Sequence, residues 1–237
     1  MAPFEAARET TFASPEAAAE RITAFLRSVY AWMCAGLAIT AVTAMAVAAP
    51  DSVVLTIASN RLLFWGIIIA QLGIVMVLSG KVHTLARSTA SALFIAYSAL
   101  TGVTLSFVLL VFTSESIAAT FFVTAGMFGA LALYGTVTSR SLEGWGQFLF
   151  MGLIGVVIAS IVGIFWQSSQ LQFVITFAGV IVFTGLTAYD ANRLRALALA
   201  MPAGQTGAYA IGGALTLYLD FINLFLMLLR IMGDRRR

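Results

Sequence analysis

The sequence predicts an all-α integral membrane protein of seven transmembrane helices, with the last helix buried at the centre of the bundle. Three observations carry this. Of 237 residues, 61% are hydrophobic and only 10% charged, whereas a soluble domain is nearer one quarter charged. The apolar residues gather into seven stretches, 28–49, 61–79, 88–112, 116–137, 145–166, 171–190 and 206–231, each long enough to cross ~30 Å of hydrocarbon. The last stretch alone combines that length with a polar seam.

Taken in order, residues 1–27 form a polar tail that mixes Glu5, Glu9, Glu16 and Glu20 with Arg8, Arg21 and Arg27. Ser14-Pro15-Glu16 reads as a helix start, so a short amphipathic helix should lead into the membrane. The first span ends in Ala46-Val47-Ala48-Ala49-Pro50, which mimics a signal-peptidase site. The tail and apolar run are both longer than in a signal peptide, so this helix is expected to be retained. The transmembrane domain then runs over 28–231, and 232–237 is a basic tail. Trp145 and Trp166 bracket the fifth span as interface anchors. Gly155, Ala159 and Gly163, and Gly126 with Ala130, have the four-residue spacing of close helix packing. Ser91, Ser98, Thr101 and Thr104 either line a polar path in the third span or bond their own helix backbone.

Charge gives an orientation. The N-terminal tail and the connections after spans two, four and six hold Arg8, Arg21, Arg27, Lys81, Arg87, Arg140, Arg193 and Arg195. The other side holds Arg61, until the tail adds Arg230, Arg235, Arg236 and Arg237. A cytoplasmic N-terminus follows from the early helices. Either the tail is an exception, or one stretch does not fully cross. The formal charge of +3 is small and confined to connections, so no nucleic-acid surface is expected. Cys34 is the sole cysteine, which excludes an internal disulfide.

In the last stretch, TGAYAIGGALTLYLDFINLFLMLLRI, the residues Tyr209, Gly213, Thr216, Asp220, Asn223, Met227 and Arg230 fall on one helical face. A polar seam without water to face belongs among other helices, hence the central position. A carboxylate there costs roughly 2.5–3.5 kcal/mol on insertion scales and marks a functional site. Asp190 and Asp220 are the two acids within apolar stretches. The breaker cluster from Met201 to Gly207 is the expected turn, with Gln205 equidistant from both. If helix six continues through Ala191 to Ala200, an antiparallel hairpin brings the carboxylates to one depth. Thr187 precedes Asp190 by three residues and Thr216 precedes Asp220 by four, so each acid has a hydroxyl on its own face. Two facing carboxylates in a low dielectric cannot both ionise cheaply and should share a proton. The bland reading is a local pairing of Asp190 with Arg193.

Residues 183–195, FTGLTAYDANRLR, and 217–225, LYLDFINLF, resemble the signatures of the Bax inhibitor-1 (transmembrane Bax inhibitor motif) family, in its bacterial form. The resemblance spans the chain in length and span count. It implies two three-helix layers around a central C-terminal helix, and a pH-sensitive calcium leak channel of the bacterial inner membrane. It maps the family's aspartate pair onto Asp190 and Asp220 as the calcium and proton site. Two residues depart from the family: Asn192 stands in place of a Gln, and Gln71 where many members carry a Glu. A basic latch on the pair is also implied, with Lys81 and Arg87 as candidates and Arg193 and Arg195 as the remaining ones. Thr187, Thr216, Asn223 and Gln71 are the pore-lining candidates.

Enzymatic readings fail on residue types. An intramembrane aspartyl protease needs Gly-x-Gly-Asp where this chain has Leu217-Tyr218-Leu219-Asp220, and a rhomboid-type protease needs a His within a span. The sole histidine, His83, lies in a connection, as does Lys81, the sole lysine, which excludes a retinal protein. No cofactor is expected beyond Ca²⁺ as a permeating or weakly bound ion. The partners expected are lipid, Ca²⁺ and protons. The alternative is a non-transporting regulator that binds a membrane protease or cell-death and stress machinery through residues 1–27.

Overall fold

The computed structural model describes residues 15–49, 51–138, 140–166, 168–201 and 206–236. Among them run eight helices: α1 (Pro15–Ala48), α2 (Asp51–Ser59), α3 (Arg61–Lys81), α4 (Arg87–Val111), α5 (Ser114–Val137), α6 (Glu143–Phe165), α7 (Ser169–Ala200) and α8 (Thr206–Met232). All but α2 are long and apolar enough to cross a membrane. Side-chain caps start several of them. Asn60 Oδ1 accepts from Leu63 N at 3.1 Å, and Ser168 Oγ from Leu171 N at 3.4 Å, each taking up a donor that a helix start leaves free.

Two boundaries differ from the sequence reading, and a third, the end of α7, meets the condition of its hairpin. Helix α1 begins at Pro15, so 15–27 is the outer part of the first spanning helix rather than a separate tail. Its Ala, Glu, Arg and Leu residues are strong helix formers with no breaker before the apolar run, and Pro suits a first helical position. Residues 1–14 lie outside the described residues, with Glu5, Arg8, Glu9 and Ser14. Helix α7 continues ten residues past Asp190, again because 191–200 holds no Gly or Pro. Residues 51–59, expected as a connection, form α2, which tucks Val54 and Ile57 inward against α1 and α3.

Two layers enclose α8. Helices α1 and α3 both pack on α4, and α5 and α6 both pack on α7. Helix α8 packs against α1, α3, α4, α5 and α7. Of its most apolar window 56% is buried, against 6% for α3, and this identifies the centre. Lipid gives no hydrophobic drive between helices, so contact depends on close fit. Gly135 of α5 lies directly on the Ala188 backbone of α7, and Gly102 of α4 lies on the Thr40 carbonyl of α1; neither has room for a Cβ. Most of the expected small-residue spacings are not where the helices meet. Gly126, Ala130 and Gly155 face outward, with open space at both glycines, and of that set only Gly163 is buried, against Gln172. Spacing identifies a small face but not whether a partner covers it.

The start of α1 and the residues after α8 lie at opposite ends of the bundle. At one end Arg21 Nη2 donates to Met201 O, at the end of α7. At the other, the residues after α8 clasp the α4–α5 connection. Thr113 N donates to Asp234 O at 3.0 Å and Arg236 N to Val111 O at 2.9 Å. Asp234 N donates to Ser116 Oγ at 2.9 Å and Arg236 Nε to Phe112 O at 3.1 Å. All seven apolar stretches therefore run the length of the bundle, with the basic residues after α8 at the end opposite Arg21. Arg237 lies outside the described residues.

The clasp joins the end of the central helix to the turn between the layers. Ending the chain at Gly233 removes these bonds, each worth about 0.5–1.5 kcal/mol net and less where solvent competes. The truncated protein should unfold in detergent at a Tm lower by roughly 4–8 °C, with helicity retained. An unchanged Tm would mean that the clasp is solvated and carries no stability.

A buried carboxylate pair between the last two helices

The polar seam of α8 is its α7 face. Gly213 meets Leu194, Asp220 meets Asp190, and Met227 lies on Gly179. The residue numbers of these pairs sum to nearly the same value, as they must along an antiparallel hairpin. Gln205, the expected midpoint, and Pro202, Ala203 and Gly204 beside it lie outside the described residues. The carboxyl groups of Asp190 and Asp220 lie within hydrogen-bonding reach of each other. The two residues are only 8% and 5% exposed. Asp220 Oδ2 is fully buried and has no hydrogen-bond partner. An orphaned carboxylate oxygen in such a place calls for a proton, a water or a cation.

The structure sorts the cations expected as latches. Arg193, exposed and one turn beyond Asp190 on α7, is near enough to act on it electrostatically. Arg195 is otherwise engaged: its Nη1 donates to Thr138 O at 2.9 Å. Lys81 and Arg87 are not at the pair. Arg87 packs its aliphatic stem on Gly207, about 20 Å along α8 from Asp220. Val82, next to Lys81, rests on Gly212, about 12 Å from it. Both basic residues stand at the ends of their helices, where headgroups would meet them.

The pore-lining candidates are also placed. Thr187 donates to Phe183 O at 2.8 Å, Thr216 to Gly212 O at 3.3 Å, and Asn223 Nδ2 to Leu219 O at 2.8 Å, each within its own helix. Their oxygen atoms keep free lone pairs. Asn223 and Ser160 open onto a cavity of about 230 Å³ between α6, α7 and α8, one turn from Asp220. Gln71 stands apart, donating to Thr104 Oγ1 at 3.0 Å between α3 and α4. Ser91, Ser98, Thr101 and Thr104 all donate to their own helix. Among the described residues no group of three His, Cys, Asp or Glu side chains is placed to hold a metal.

Two supports of the site were not foreseen. Asn192 Nδ2 donates to Gly135 O at 2.9 Å, so the residue that departs from the family pattern caps α5 together with Arg195. These bonds take up carbonyls that a helix end leaves unpaired. On the opposite side of α8, Tyr218 OH and Thr40 Oγ1 are 2.6 Å apart, and Thr40 donates to Ser98 O at 2.9 Å. Tyr218 also makes edge contacts with Phe94 and Tyr97, at 5.8 and 5.9 Å between ring centres. The sequence signal for Tyr218 was present: a tyrosine amid aliphatic residues, off the polar seam, needs a partner for its hydroxyl. Nothing local pointed to Asn192, whose partner is 57 residues away.

Set beside known proteins, the chain matches the family described as "Inhibitor of apoptosis-promoting Bax1" over residues 22–237. The inner membrane protein YbhL of Escherichia coli (strain K12) is 50% identical over 215 residues, covering 90% of this chain and 92% of its own. An uncharacterized protein of Borreliella burgdorferi is 44% identical over 214 residues, covering 90% and 92%. An uncharacterized membrane protein of Streptococcus pyogenes serotype M6 is 34% identical over 214 residues, covering 88% and 92%.

Contact between the acids makes their effects on stability interdependent. Asp190→Asn and Asp220→Asn each remove the same repulsion, so each should raise Tm at neutral pH. The double variant should gain less than the sum, by a coupling of about 0.5–3 kcal/mol. At acid pH, where the pair carries its protons, the gains should shrink. Full additivity at neutral pH would place the carboxylates out of contact.

Proposed function

The chain belongs to the Bax inhibitor-1 family, and on that premise we propose that it is a pH-sensitive cation leak, passing calcium, gated by Asp190 and Asp220. The observation that carries this is the pair itself: two carboxyl groups buried together, with one oxygen unpartnered. Calcium takes six to eight oxygens, and this pair with Thr187, Thr216 and Asn223 supplies fewer, so water completes the shell. Weak holding suits passage, since an ion must also leave. The protein is an integral membrane protein. Its setting in this reading is a bacterial inner membrane, with the N-terminus cytoplasmic, and the transport is non-enzymatic.

Arg193 is the latch in this mechanism. When both acids are charged they hold the guanidinium over the pair, and protonation weakens that hold and favours opening. A tenfold shift in the opening equilibrium needs only about 1.4 kcal/mol, within reach of one partly exposed charge contact. Flux should therefore rise as pH falls.

A second reading, a regulator that conducts nothing, draws on the family's description as an inhibitor. Removing residues 1–14, ahead of α1, separates the two. A leak keeps conducting, whereas a regulator acting through that segment loses its membrane partner.

In proteoliposomes loaded with a calcium indicator, the protein should admit Ca²⁺ above the level of empty vesicles, more so at acid pH. Asp190→Asn or Asp220→Asn should flatten this dependence or move it to lower pH, because the remaining acid has lost its like-charged neighbour. Arg193→Gln should raise flux at neutral pH severalfold and leave acid flux nearly unchanged, while Lys81→Gln and Arg87→Gln behave as the parent. Flux equal to that of empty vesicles at every pH would end the leak reading.

A further inference from the structure

The two layers do not close between α1 and α5. A cavity of about 470 Å³ lies there, lined by Tyr30, Met33 and Cys34 of α1 and by Phe128, Gly129 and Thr136 of α5. A second, of about 190 Å³, continues it toward Ala44, Val108 and Phe225. The two share Leu37, Phe121 and Phe221, so they form one slot floored by α8. Its α1 wall, from Tyr30 to Met45, spans about 22 Å. One leaflet of hydrocarbon is about 15 Å thick, so the slot is long enough for an acyl chain.

The slot is polar at one end only. Tyr30 and Thr136 stand at that end, and beyond them the lining is apolar apart from Thr40, whose hydroxyl is bonded inward. Arg27 is exposed on α1, one turn before Tyr30 and on the same helical face. Val29 packs at Gly213 beside Leu194, which puts Arg27 level with Arg193 and Arg195, at headgroup depth. Glu20 lies on the same face two turns further out, about 10 Å beyond Arg27. The slot therefore offers an apolar channel below and a cation at its mouth.

We propose that the α1–α5 slot is a binding site for an anionic phospholipid of the leaflet at that end, one acyl chain lying against Phe221 and the phosphate held by Arg27. The site is separate from the carboxylate pair and does not depend on whether the pair conducts ions. Lipid bound there contacts Phe221, the neighbour of Asp220 on the floor of the slot.

Cys34 is the sole cysteine, exposed and on the rim, so the parent chain takes a single bimane label beside the slot. The labelled protein is reconstituted into phosphatidylcholine bilayers containing either brominated phosphatidylglycerol or brominated phosphatidylcholine at equal mole fraction. The anionic lipid should quench the label with about fivefold preference, the factor expected of one arginine near a charged headgroup. Arg27→Gln should bring the preference to about one, and Arg61→Gln, at the opposite end of the bundle, should leave it unchanged. Gly129 faces open space, so Gly129→Leu fits without strain; it should fill the slot and reduce quenching by the anionic lipid with Arg27 intact. Equal quenching by the two lipids in the parent would overturn the proposal, as would a preference surviving Arg27→Gln or quenching unaffected by Gly129→Leu. Quenching by neither lipid would overturn it too, and would point to a second copy of the chain over the slot.

Discussion

A carboxylate on the central helix of a membrane bundle cannot reach bulk water, so the bundle must supply its partner. Asp220 finds that partner in Asp190, and much of the architecture follows from the contact. To bring the two acids together, α7 must run antiparallel to α8 in one register, and that register sets Leu194 on Gly213 and Gly179 on Met227. The opposite side of α8 is fixed as firmly. Tyr218 stands about 200° around the helix from Asp220, and its bond to Thr40 with its contacts to Phe94 and Tyr97 keys α8 into the first layer. Phe221, between them, meets Phe121 and Phe128 of α5, each at 5.5 Å between ring centres. One short stretch of a single helix thus engages both layers while burying a pair of carboxyl groups.

The sequence made the centre legible because the constraint is local to one hairpin. Seven apolar stretches, a seam confined to the last of them, and two acids symmetric about a breaker cluster need no long-range information. The continuation of α7 to Ala200 was likewise readable as an absence of Gly and Pro. Residue spacing does not by itself dictate the grouping into two layers. That expectation came with the family signature in 183–195, and the packing of α1 and α3 on α4, and of α5 and α6 on α7, agrees with it.

What stayed hidden involves partners far apart in the chain. Asn192 and Arg195 cap α5 across 57 residues each, so Arg195 read as a latch when it is a cap. Lys81 and Arg87 shared that reading on position after helix two, but Arg87 packs on Gly207 and Val82, next to Lys81, on Gly212, a long way down the axis from the pair. The small-residue spacings failed for a related reason. Gly126 and Gly155 have the pattern of a contact with no helix opposite, whereas Gly135 and Gly102 come against the backbone of a neighbouring helix. The clasp at 233–236 gave no signal, because a backbone bridge depends on where two chain segments lie rather than on which residues they hold.

These supports bear on how the pair responds to charge. Helix α7 is held to α5 by the Asn192 and Arg195 caps and by the Gly135–Ala188 contact, on the turn beside Asp190. Helix α8 is held to α4 and α5 by Tyr218 and Phe221, on the turn that carries Asp220. The distance between the carboxylates is therefore set by two helices anchored independently of the acids. Adding a charge cannot be relieved by drawing the helices apart without breaking those anchors. It must be met by what is free to change near the pair: a proton, a water at the orphaned Oδ2, or the exposed side chain of Arg193. On the proposed reading, a rigid cradle with Arg193 as its countercharge turns a change in pH into a change in occupancy rather than a loss of fold.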